Sequence, residues 1–190
     1  MIHLNTKHFA ALMTWAIALG AFAVMPLRAQ TDSKLPLPAQ ELVDSAVKTA
    51  SAENKSVLIH FGASWCGWCK RLKGFLHSPE MGRLIADNYV VIELTVEESP
   101  GKKMLENPGA EELKSKMGGA NAGLPFYFFL DKDGKKIADS LVMPKGENVG
   151  HPANAEEIKA FVGLLERTAP RMTSAQRVEV GNYLTKTMPH

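Results

Sequence analysis

Two cysteines stand three apart in this 190-residue chain, in Trp65-Cys66-Gly67-Trp68-Cys69-Lys70. The chemistry open to such a pair is thiol–disulfide exchange. Residues i and i+3 share a helix face, so the two sulfurs can close a disulfide with little backbone movement. The apolar run at residues 57–61 just before the motif reads as a buried strand. Leu72, Phe75 and Leu76 after it have helical spacing. A C-x-x-C where a strand turns into a helix is a redox signature. The first cysteine then sits at a helix N-terminus, where free N–H groups and the macrodipole favour the reactive thiolate. A structural staple is the competing use. Staples gain most by closing long loops, and two intervening residues make a short one.

Three segments extend the pattern. Residues 61–70 hold the motif, Gly123-Leu124-Pro125-Phe126 leads an aromatic stretch through Leu130, and Asp131-Lys132-Asp133-Gly134-Lys135 follows as a turn. Together they resemble the thioredoxin superfamily from Val57 to about Phe161, most closely its secreted or periplasmic thioredoxin-like members. The resemblance implies an α/β thioredoxin fold: a central mixed β-sheet flanked by helices, with an N-terminal helix and a C-terminal helical extension. It implies that Cys66 attacks a substrate disulfide, that Cys69 resolves the mixed disulfide, and that Pro125 is cis. The loop at Leu124 and Pro125 would present backbone groups to an extended substrate, with Trp65 and Trp68 as an apolar rim.

Two departures from the family pattern stand out. Trp68 occupies the position usually held by proline between the cysteines, which leaves the redox direction open. His60 aligns with the acid often buried below the active site, and Glu93 with the lysine that pairs with it. One reading of His60 is a reversed His60–Glu93 pair in which the imidazole takes the proton Cys69 must lose. The other is a surface histidine or a satisfied core one.

The first 29 residues read as a secretory signal peptide: Lys7 and His8 precede an apolar stretch, and Ala29 ends it. Export to a periplasmic or secreted location is the expectation, with no membrane insertion once the segment is cleaved. The alternative is an uncleaved anchor, although the apolar run is slightly short for a full span. Removing Lys7 and Arg28 reduces 22 basic residues to 20, against 20 acidic ones. A neutral remainder gives no electrostatic case for nucleic acid.

Residues 30–38 read as a flexible leader and 39–168 as the thioredoxin-like domain, with 169–190 as a helical tail that packs on it. Helices are expected over 39–52, 67–76, 80–86, 110–117 and, from an Asn154–Glu157 capping box, through Glu166. Strands are expected over 57–61, 89–96, 126–130 and 136–142. Lys70, Arg71 and Lys73 read as a solvated helix face that also aids the thiolate. Glu97, Glu98, Glu111 and Glu112 read as solvated surface. The chain carries no flavin or nicotinamide fingerprint, so no cofactor is expected and an external redox partner protein must reset the pair. Substrates would be proteins with thiols or disulfides. Two rival classes are a non-catalytic binding module and a metal chaperone. For the latter, His60, His77, His151 and His190 lack ligand-like spacing to the motif.

Overall fold

The computed structural model describes residues 35–189. The segment read above as a signal peptide, the first residues of the expected leader and His190 lie outside them. No helix among the described residues is long and apolar enough to cross a membrane.

The chain opens with α1 (Ala39–Glu53), which presents Val43, Ala46 and Ala50 to the core and ends at Asn54 in the left-handed conformation. β1 (Ser56–Gly62) follows, buried along its whole length. Then come α2 (Gly67–Leu76), α3 (Gly82–Asn88) and β2 (Tyr89–Thr95). A 3-10 turn (Pro100–Leu105) and the short α4 (Ala110–Lys114) lead to β3 (Phe126–Leu130) and β4 (Lys136–Asp139). α5 (Ala155–Thr168) and α6 (Ser174–Lys186) close the fold.

The sheet order is β2-β1-β3-β4, with β1 and β2 parallel and the other pairs antiparallel. Strand alternation sorts the core into two layers. Val57, Ile59 and Phe61 face α1 and α4 together with Phe126 and Phe128. Leu58, Tyr127 and Phe129 face α2, α5 and α6. The second layer reaches into the C-terminal segment. Val180 and Leu184 of α6 are buried there, and Tyr183 packs 5.9 Å from the Phe75 ring. Thr168 pins this layer to the strand starts: its carbonyl accepts from Ser56 Oγ at 2.6 Å, and its hydroxyl lies 2.6 Å from that of Tyr89.

Four local expectations shift for visible reasons. The helix after Ser78 starts at Gly82, because the Ser78 hydroxyl accepts from Met81 N and forms a turn first. The segment at 110–117 loses α geometry after Lys114 and widens into a turn over Ser115–Gly119. A Cβ on Gly119 would stand 2.5 Å from a Phe126 ring carbon, so only glycine permits that approach. β4 stops at Asp139, whose carboxylate takes the Leu141 amide and turns the chain aside. The capping box at Asn154 is half formed. Asn154 accepts from the amides of Glu156 and Glu157, but the Glu157 carboxylate takes Ala153 N instead. The reciprocal box stands at Thr173 and Gln176.

Candidate active site

β1 delivers the chain to a tight turn in which Cys66 N donates to Ala63 O at 3.0 Å. Cys66 is the N-cap of α2, and its sulfur accepts from Cys69 N at 3.1 Å. The first turn of α2 therefore aims its free amides and positive dipole end at Cys66. Cys66 and Cys69 are joined in a disulfide. Both are nearly buried, with Ala63 and Leu124 packed against them.

The Leu124–Pro125 peptide is cis. Asn148 Nδ2 clamps this loop by donating to Gly123 O at 2.7 Å and Pro125 O at 3.0 Å. A cleft of about 380 Å³ opens beside it, bounded by Trp68, Leu124, Pro125, His151 and Glu157. Trp68 is 45% exposed and Trp65 54%. His151 stacks on the Trp68 ring at 6.1 Å, and the Arg71 guanidinium sits 5.6 Å from the ring centre. Burial, aided by the Arg71 charge, holds His151 down to about 4. Trp65 is anchored by its indole N–H, which donates to Glu97 O at 2.7 Å.

His60 is fully buried on the sheet face that α2 covers, in register with Glu93 on one side and Tyr127 on the other. Neither ring nitrogen has a hydrogen-bond partner among the described residues, and the Tyr127 hydroxyl also lacks one. Burial holds His60 down to about 4, against the pull of the Glu93 carboxylate, while Lys73 and His77 push the same way as burial. The Glu93 carboxylate pairs with Lys73 of α2 instead, at 2.6 Å. Gly62 leaves an opening between Glu93 and the motif. A Cβ there would stand 3.5 Å from Cys69 Sγ and 3.7 Å from Glu93 Oε1.

The segment after β2 forms the other wall of the site, where residues read as solvated surface have other tasks. Glu98 is 3% exposed, and its carboxylate accepts from Ser64 N at 2.5 Å and Ser64 Oγ at 2.8 Å. Glu97 pairs at 2.5 Å with Lys114, whose side chain is buried. These links span 34 and 17 residues. Sequence offers no local signal for either, since a Glu-Glu dipeptide after a strand looks the same on a bare surface. A second cleft of about 350 Å³ is lined by Ser64, Cys69, Lys73, Glu93, Glu98 and Leu105. Among the described residues no cluster of three or more His, Cys, Asp or Glu side chains is arranged to hold a metal ion.

A family model described as thioredoxin-like matches residues 39–132, about half the chain. Thiol:disulfide interchange protein DsbD of Photorhabdus laumondii subsp. laumondii is 31% identical over 90 residues. That match covers 47% of this chain and only 14% of the relative. Among solved structures, a disulphide isomerase from Xylella fastidiosa Temecula1 is 21% identical, covers 85% of this chain and 95% of its own, and has a TM-score of 0.47. The C-terminal domain of Neisseria meningitidis DsbD is 24% identical over 54% of this chain and 84% of its own, with a TM-score of 0.38. With the mixed four-stranded sheet and the C-x-x-C pair at the start of α2, the family match over residues 39–132 places this chain in the thioredoxin superfamily.

Proposed function

We propose that the protein is exported and exchanges disulfides with protein substrates, reset by an external redox partner protein. Cys66, as thiolate, attacks a substrate disulfide. One substrate sulfur leaves as thiolate and the other joins Cys66 in a mixed disulfide. Cys69 then loses its proton and attacks Cys66, releasing the second substrate thiol and closing the Cys66–Cys69 bond. The partner's dithiol returns two electrons to the pair. Run backwards, the same steps insert disulfides.

The observation that carries this reading is the disulfide at the N-terminus of α2, packed against Leu124 of the cis-proline loop. Asn148 occupies the carbonyls of Gly123 and Pro125, while among the described residues the Leu124 backbone takes part in no hydrogen bond. An extended substrate pairs there by strand addition, with Pro125 as the floor and Trp65 and Trp68 as the rim. For the proton of Cys69 two acceptors share the sheet face under α2. His60 has free ring nitrogens, but its burial makes an imidazolium costly. Glu93 borders the cleft that holds Cys69, with solvent access, and is the acceptor that position favours. Export rests on the basic, apolar and small-residue pattern of residues 7–29.

A Cys69→Ser variant expressed in the native host tests the exchange reading. Protein substrates held through a reducible bond to Cys66 are the expected outcome. Non-covalent partners alone would establish a docking module instead. Recovery of the chain from the extracytoplasmic fraction with Gln30 at its N-terminus checks export.

A further inference from the structure

The cleft on the β2 side of the disulfide contains a buried anion that exchange chemistry alone does not require. Both oxygens of the Glu98 carboxylate are held by Ser64. Lys102 Nζ donates to the same Ser64 hydroxyl at 3.3 Å. Burial pushes the Glu98 carboxyl up, but the Ser64 bonds and the Lys102 charge outweigh it and keep the carboxyl below its usual range. Glu98 is therefore ionised at neutral pH.

Its position matters because Ser64 lies two residues before Cys66, about 7 Å of chain at most, inside the turn closed on Ala63. Cys69 borders the same cleft. The other charges around the pair are accounted for. Lys73 pairs with Glu93, and Glu106 takes Lys103 and the Glu98 amide. Lys70 and Arg71 are exposed on α2, and His60 beneath is neutral.

We propose that Glu98 and Lys102 are opposed positioning residues that set the reduction potential of the Cys66–Cys69 pair, Glu98 favouring the disulfide and Lys102 the dithiol. The inference rests on the exchange reading above. Reduction breaks the S–S bond and takes up two electrons from an external dithiol, which becomes a disulfide and gives up two protons. One proton goes to Cys69, the other leaves to solvent, and Cys66 remains as thiolate. A fixed anion beside the pair raises the cost of that thiolate, so the oxidised form gains. Lys102 acts with the opposite sign, and more weakly, because its ammonium is exposed and screened. Both effects vanish below the pKa of Cys66, where no thiolate forms.

The test equilibrates the full chain in dithiol buffers and reads the oxidised fraction by thiol labelling. Glu98→Gln keeps the size of the side chain and its acceptor for Ser64 N. It should move the equilibrium constant about tenfold toward the dithiol, equivalent to about 30 mV for two electrons. Lys102→Met should move it about twofold toward the disulfide, as expected for a screened surface charge. The Cys66 pKa, read from thiolate absorbance, should fall in the first variant and rise in the second. A merely structural role would not give opposite signs. Shifts of one sign, or less than about twofold in Glu98→Gln, would overturn the proposal. If Glu98→Gln does not fold, the exposed Lys102→Met still decides by its sign. Failure of the wild-type pair to equilibrate with thiols would remove the exchange reading too, whereas a normal wild type with unmoved variants removes this inference alone.

Discussion

The two walls of the disulfide are built from different materials. On the proline side stand Trp68, His151, Leu124 and cis-Pro125, held by one asparagine that leaves the Leu124 backbone open. On the β2 side stand Ser64, Glu93, Glu98, Lys73 and Lys102, joined by ion pairs and charged hydrogen bonds. Apolar surface and free backbone groups suit a wall that receives polypeptide. Fixed charges beside sulfur suit a wall that sets how easily the bond opens. On the proposed reading, the contrast makes docking and potential separable in this fold, because different strands and loops carry them.

The largest effect belongs to neither wall. Cys66→Ser should abolish thiol exchange, measured with any disulfide substrate, while leaving the fold intact. Residual exchange through Cys69 would break the assignment of roles.

Acid stability comes next. His60 in the folded protein is held to about 4, below its ordinary 6.5, so the unfolded chain binds its proton more readily. Its stabilising share is complete above pH 6.5 and is lost as pH falls toward 4. The loss is on the order of 3 kcal/mol. His60→Leu should reduce the slope of the denaturation midpoint across that window, leaving the share of His151, which is also held to about 4, and an unchanged slope would show that other groups dominate.

Glu97→Ala probes the charged wall. It leaves the Lys114 ammonium buried without its main partner, although Glu111 lies 3.8 Å away. The half-exposed Glu97 discounts the cost to about 2 kcal/mol, read from a urea midpoint. The smallest effect is on the proline wall. Trp68→Ala should raise KM for protein disulfides about fivefold, or roughly 1 kcal/mol, and leave a small-molecule disulfide unaffected. Equal losses on both substrates would dissolve the distinction between the walls.

The proline wall was the more legible one. Cys66 and Cys69 lie in a local motif, the family resemblance picked out Pro125, and strand and helix periodicity located the main elements near them, but Asn148 and His151 reach this wall only through the fold. Phe126–Leu130 matches its expected span, whereas 110–117 breaks because Gly119 must pass Phe126, a contact no period reveals. The charged wall was opaque for a related reason. Glu98 meets Ser64 only after β1 and β2 align, so pattern alone leaves it on the surface. His60 and Glu93 do stand side by side in register, as alignment suggests. The carboxylate, however, turns to Lys73 one layer above, where the ion pair keeps contact with solvent.

The most direct measurement is the order in which the reduced cysteines are alkylated as pH is varied. Cys66, at the open end of α2, should react first and titrate below an ordinary thiol, with Cys69 modified only after it. Equal reactivity, or Cys69 reacting first, would contradict a nucleophile at Cys66 and the exchange mechanism built on it.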